Sequence, residues 1–307
     1  MRAVVSAYWK IFGEGLIADG EQEFHHAVKT GMKLVRGLMV AFCTYLLIAL
    51  ATVLPIPDLC GQQPPVPADQ AMPRTDQNSL TAHAQLLEKA GTGRIDIYFE
   101  GDSITRRWGA TDYPELLANW KQNFFGWNAA NFGWGADTTQ NILWRLNNGE
   151  LDGVNPKVIV LLAGTNNVGN IVPPASDDDK VADIIRGLQT ILKVLQTKAP
   201  NATIIAMGIF PRNDNKAVMP MINKINRNLA RLVDGKRVRY LNINNKLADR
   251  GGKLFDGMMN DRDKLHPTLK GYQVWADALK PIFTKLLGPP GKEDHAPPPT
   301  GDPSVRR

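Results

Sequence analysis

Residues 158–163 (VIVLLA) are apolar at every position. A strand with one face in water would carry a polar residue at every second position. An unbroken apolar run of this length therefore belongs to a strand covered on both faces. Such a sheet needs a helical layer above and another below it, so strands and helices must alternate along the chain. Four further short runs, at 95–100, 127–132, 203–207 and 238–243, read as strands. Helix-period segments lie between and around them at 79–90, 113–123, 138–146, 179–198, 219–233 and 269–287. Gly91 ends the first of these, Asn147-Asn148-Gly149 can stop the third, and Ala199-Pro200 ends the fourth. The pattern predicts an α/β domain over residues 76–287, with a five-stranded parallel sheet between two helical layers.

The rest of the chain is read differently. Residues 37–54 carry no charge and follow Lys33 and Arg36. With MKLVR at 32–36 and Ala49-Leu50-Ala51 as a small-x-small site, residues 1–54 are expected to hold an export signal or membrane anchor. Met32 could then be the start used. The Pro-rich stretch 55–75 reads as a linker, and 288–307 reads as a disordered Pro-rich tail with almost nothing to bury. The net charge of +6 is spread thinly, with no Lys/Arg run longer than two, which argues against a nucleic-acid surface. Cys43 and Cys60 both precede the body, which excludes a disulfide framework, a cysteine nucleophile and a cysteine-zinc site within it.

Ligands of such sheets gather beyond the carboxyl ends of the strands, near the point where strand order reverses. The residues there are Gly101-Asp102-Ser103-Ile104-Thr105 after the first strand and Gly133-Trp134-Gly135-Ala136-Asp137 after the second. Gly164-Thr165-Asn166-Asn167 follows the third, and Asp263-Lys264-Leu265-His266-Pro267 precedes the last helix. Any one of these alone is weak. Together, in this order and at strand ends, they constrain the chemistry.

The four blocks FEGDSIT, NFGWGADTTQNILWRLNNGEL, LLAGTNN and DKLHPTLKGY resemble those of the SGNH (GDSL-type) hydrolases, which carry Ser, Gly, Asn and His. The second block is similar to the branch holding platelet-activating-factor acetylhydrolase subunits and bacterial esterases, some of them carbohydrate esterases. The resemblance covers about residues 93–287. It implies a flavodoxin-like three-layer α/β/α sandwich and ester hydrolysis without a cofactor. It assigns the oxyanion donors to the Ser103 backbone N–H, the N–H after the second strand, and the Asn166 amide. The family's glycine aligns with Ala136, with Gly135 just before it. An alanine keeps the backbone donor, provided its φ is negative.

The residues support that chemistry independently. A serine hydroxyl needs a base to take its proton as it attacks, and histidine suits that task near neutral pH. Of His25, His26, His83, His266 and His295, only His83 and His266 belong to the body. Only His266 has a carboxylate three residues earlier, Asp263, positioned to fix its tautomer. The expected roles are Ser103 as nucleophile, His266 as proton shuttle and Asp263 as its orienter; His83 reads as an ordinary helix position.

Asp102 is expected to hold the turn beside Ser103, with substrate contact as a second role. Trp108, Trp134 and Trp144 are candidates to line the acyl or leaving-group pocket. Arg145 is expected to pair within the scaffold, and the run Asp177-Asp178-Asp179 reads as a solvated helix start, not a metal site. GxGxxG and GxxxxGK[ST] motifs are both missing from the sequence, which removes dinucleotide and P-loop readings. The expected partner is a small-molecule or polysaccharide ester, with no metal and no nucleic acid. Membrane contact would come only through the N-terminal segment, and the oligomeric state is left open.

Overall fold

The computed structural model describes residues 66–169 and 178–305. The 37–54 segment and most of the expected linker lie outside them. Along the chain run α1 (Gln77–Ala90), β1 (Ile97–Gly101), α2 (Ser103–Gly109), α3 (Pro114–Phe124), β2 (Ala129–Asn131) and α4 (Thr139–Arg145). β3 (Val158–Leu162), α5 (Thr165–Val168), α6 (Asp178–Lys198), β4 (Thr203–Met207) and α7 (Met219–Leu232) follow. β5 (Val238–Leu241), α8 (Asn244–Leu247) and α9 (Leu269–Leu287) complete the order.

The five strands pair in parallel in the order β2-β1-β3-β4-β5. This is the expected flavodoxin-like sheet. The chain leaves β1 to add β2 on one side and then crosses to add β3 on the other. The crevice beyond β1 and β3 is therefore the switch point. All five residues of β3 are buried, as its composition requires. Ile159 and Leu161 point into one layer, with Leu86 of α1, Ile142 of α4, Ile184 of α6 and Ile222 of α7. Val158, Val160 and Leu162 point into the other, with Trp108 of α2, Phe124 of α3, Leu247 of α8 and Trp275 of α9.

Two expectations fail at the edges of the body. Residues 66–75 do not behave as a free linker: Ala68 is fully buried, its N–H donates to the Asp183 carboxylate at 3.1 Å, and its carbonyl accepts from Thr139 Oγ1 at 2.8 Å. Residues 288–305 are likewise not the unattached tail that their composition predicts. Arg94 N–H donates to the His295 carbonyl (2.8 Å), Gly291 N–H to the Gly126 carbonyl (2.8 Å) and Thr111 N–H to the Thr300 carbonyl (3.1 Å). Backbone pairing holds this segment where side-chain burial could not, and glycine makes the approach possible. A Cβ at Gly126, whose φ is +85°, would sit 2.2 Å from the Gly291 carbonyl oxygen.

Candidate active site

Gly101 closes β1 in a space too tight for any side chain. A Cβ there would lie 2.4 Å from the Leu162 carbonyl oxygen of β3. Asp102 follows with an extended backbone and caps α2, its Oδ1 accepting the Ile104 N–H at 2.9 Å. Ser103 is thereby the first residue of the helix, and its own N–H has no intrahelical acceptor. The sequence reading missed α2, because SITRRWG is short and ends in glycine.

The other half of the site is a turn before α9. Asp263 Oδ1 accepts the backbone N–H groups of Leu265 (3.1 Å) and His266 (3.0 Å), which fixes the carboxylate against its own chain. Its Oδ2 lies 2.8 Å from His266 Nδ1, and His266 Nε2 lies 2.8 Å from Ser103 Oγ. The turn also bonds Lys264 N–H to the Asn260 carbonyl and Asn260 N–H to the His266 carbonyl, each at 2.8 Å. Ser103, His266 and Asp263, distant in sequence, thus form one continuous hydrogen-bonded series. With Nδ1–H donating to the carboxylate, Nε2 presents its lone pair to the Ser103 hydroxyl.

The charges suit that tautomer. Burial and the nearby Arg107 guanidinium lower the His266 pKa below its ordinary value, against the opposing pull of Asp263. Both effects favour the neutral imidazole, the form that can accept a proton from Ser103. Burial works to raise the Asp263 pKa, but the N–H groups of His266 and Leu265 and the imidazole outweigh it and hold the carboxyl low. Arg107 donates to Asp263 Oδ2 at 3.3 Å. It stands one helical turn beyond Ser103, a placement that would have been legible had α2 been anticipated.

The second loop lies directly against the first. Trp134 N–H donates to the Gly101 carbonyl at 3.0 Å, and a Cβ at Gly133 would meet the Arg106 nitrogen at 2.6 Å. Asn166, half-buried on α5, donates its side-chain amide to the Asp137 carbonyl at 2.9 Å, so the third block is tied to the second. Ala136 is exposed with φ of +63°. This overturns the condition of a negative φ: the backbone donor is kept, but in the left-handed region that glycine adopts freely and that costs alanine about 1–2 kcal/mol.

Behind this loop sits a buried ionic cluster. Arg145 donates to Asp137 and Glu100, each at 2.7 Å, and to Glu150, and all three carboxylate side chains have no exposed surface. Arg145 does pair within the scaffold, as expected. His83 Nδ1 lies 2.6 Å from Glu150 and so belongs to this cluster, not to the serine. Burial pushes the Asp137 pKa up to about 6 despite Arg145. From the segment read as linker, Arg74 reaches the same loop, donating to the Gly135 carbonyl at 3.0 Å. Nothing in the sequence marked Arg74.

Other expected contacts are corrected. Trp108 is fully buried, stacked against Tyr272 with its Nε1–H on Asn119; it is core, not substrate pocket. The Trp134 indole donates to Ser79 Oγ at 2.8 Å, with Arg106 over its ring, so it too belongs to the scaffold. Trp144 packs beside His83 with ring centroids 4.8 Å apart. Asp102 is fully buried and caps α2 as the turn reading expected, which leaves it no surface for substrate. Burial pushes its pKa up to about 7. Among the described residues no group of three or more His, Cys, Asp or Glu is placed to hold a metal ion.

Comparison with known proteins agrees with the fold and the blocks. The GDSL-like lipase/acylhydrolase family profile matches residues 99–274. Human platelet-activating factor acetylhydrolase IB subunit alpha2 is 29% identical over 216 residues, 69% of this chain and 86% of that protein. Its human alpha1 counterpart is 27% identical over 217 residues, 69% and 85% of the two chains. Among solved structures, a GDSL-like lipase from Bacteroides thetaiotaomicron superposes with a TM-score of 0.50 at 17% identity, covering 67% of this chain and 98% of its own. A protein from Bacteroides fragilis, provisionally described as an acylhydrolase, gives 0.53 at 19% identity, with 69% and 99% covered. At these identities the two structures show the fold alone. With the family profile spanning more than half its length, the chain belongs to the GDSL-like lipase/acylhydrolase family.

Proposed function

We propose that this protein is a serine esterase that hydrolyses short-chain carboxylic esters, acetates above all, through an acyl-enzyme. One observation carries the mechanism: the unbroken series Ser103 Oγ, His266 Nε2, His266 Nδ1, Asp263 Oδ2, with 2.8 Å at both junctions. Ser103 Oγ attacks the ester carbonyl carbon while its proton passes to Nε2. The resulting imidazolium is stabilised by Asp263. The carbonyl oxygen takes up negative charge beside the N–H groups of Ser103 and Ala136 and the side-chain amide of Asn166. When the intermediate collapses, the C–O bond to the alcohol breaks and His266 returns the proton to the departing oxygen. Water, deprotonated by the same imidazole, then attacks the acyl-serine; the acyl C–Oγ bond breaks, His266 returns the proton to Ser103 Oγ, and the acid leaves.

An acetyl group is supported by the curated relatives, which are named acetylhydrolases. For the alcohol half, acetylated carbohydrate fits a role outside the cell, to which the apolar 37–54 segment would direct the chain. Esters resembling platelet-activating factor are the second reading, favoured by the relatives' name. The test is hydrolysis of p-nitrophenyl acetate, butyrate and octanoate, then of acetylated polysaccharide and platelet-activating factor, by the wild type and by Ser103→Ala. Loss of activity with Ser103→Ala and a rate falling from acetate to octanoate is the expected result. An unchanged rate in Ser103→Ala overturns the mechanism, and a preference for octanoate overturns the acyl choice.

A further inference from the structure

We propose that Arg74, in the segment preceding the body, is a positioning residue that holds the Gly135–Asp137 loop in its working geometry. The proposal rests on the reading of Ala136 N–H as an oxyanion donor and adds how that donor is kept in place. Ala136 sits at φ +63°, where an alanine is disfavoured against an extended or right-handed alternative. Packing does not hold it there. Ala136 is exposed, and a Cβ built at Gly135 meets nothing within 4 Å.

Polar ties hold it instead, on both sides of the strained residue. On the near side, Arg74 Nη1 donates to the Gly135 carbonyl at 3.0 Å and lies 3.5 Å from Asp137 Oδ1. On the far side, Arg145 holds Asp137 Oδ2 at 2.7 Å and Asn166 holds the Asp137 carbonyl at 2.9 Å. Arg145 is buried within the scaffold, whereas Arg74 is about one third exposed and comes from another part of the chain. Asp76, the cap of α1, holds the Arg74 guanidinium from below, with Nε 3.1 Å from Oδ2. The segment docks through Ala68 and through Met72, whose N–H donates to the Gln140 carbonyl at 3.0 Å on α4. Removing the guanidinium frees the Gly135 carbonyl, and the peptide N–H of Ala136 can then rotate away from the reacting ester.

The test is a cycle of R74A, A136G and the double variant, with kcat, KM and thermal midpoint measured for each on p-nitrophenyl acetate. The left-handed conformation is disfavoured for alanine by a population factor of about 5–30. R74A is expected to lower kcat by about that factor with little change in KM. In the A136G background, where glycine adopts positive φ freely, the same R74A change is expected to lower kcat less than threefold. Equal losses in both backgrounds overturn the proposal, because a purely structural role for Arg74 would not depend on residue 136. No loss from R74A in either background overturns it too, provided Ser103→Ala is inactive. If Ser103→Ala is active, the esterase mechanism fails first, and the two failures are distinguished.

Discussion

Replacing Asp263 with asparagine should do more damage than replacing it with alanine, although asparagine is the closer match in shape. Asp263 Oδ1 is fixed by two backbone donors, Leu265 N–H and His266 N–H. In Asp263→Asn these donors select the amide oxygen for that position, so the NH₂ group must take the place of Oδ2. There it faces Nδ1 of His266 and the Arg107 guanidinium. Two donors cannot share a hydrogen bond, so the imidazole changes tautomer and turns Nε2–H toward Ser103. The base is then lost while the geometry survives. In the serine-protease template the same loss costs about 10⁴ in kcat, or about 5 kcal/mol of transition-state stabilisation. In Asp263→Ala the vacated position is open to water, since the Asp263 side chain is 34% exposed, and water can accept from Nδ1–H. Steady-state hydrolysis of p-nitrophenyl acetate, with circular dichroism as a check on folding, measures both variants. An asparagine variant within tenfold of wild type, or faster than the alanine variant, would refute the reasoning.

Further predictions concern the charges around the site. Because burial and Arg107 lower the His266 pKa, kcat/KM should rise through an acid limb centred below pH 6.5. Arg107→Gln removes a cation that opposes the imidazolium, so that limb should move to higher pH; a pH–rate profile showing a shift downward would contradict this. Arg145→Met leaves Glu100, Asp137 and Glu150 buried without their shared cation. It should cost about 3–5 kcal/mol in a urea titration, and a loss below about 1 kcal/mol would mean the cluster is not held as described.

The fold was legible because β3 is apolar at every position and the helices carry a clear 3.6 period. The end of β1 then pointed to Ser103, since ligands of a parallel sheet gather where its strands stop, and His266 was marked by the carboxylate of Asp263 three residues earlier, in the turn before α9. Other parts were hidden for identifiable reasons. α2 is a short helix defined by its Asp102 cap and by tertiary contact, not by periodicity. Trp108 and Trp134 lie near the motifs in sequence, yet their indoles bond Asn119 and Ser79 inside the scaffold. Hydrophobic content cannot report backbone pairing, so residues 288–305 read as a free tail although their main chain bonds Arg94, Gly126 and Thr111. The side chains that tie the residues flanking Ala136, those of Arg74, Arg145 and Asn166, come from three different parts of the chain, so no local pattern announces them.

The most direct measurement is the site of reaction with a fluorophosphonate probe, located by mass spectrometry of the digested protein. Stoichiometric phosphonylation of Ser103, slowed by orders of magnitude in His266→Ala, is the result expected of a serine activated by this imidazole. A protein that leaves Ser103 unmodified, or labels it equally fast without His266, would contradict the claim that these two residues form one catalytic unit.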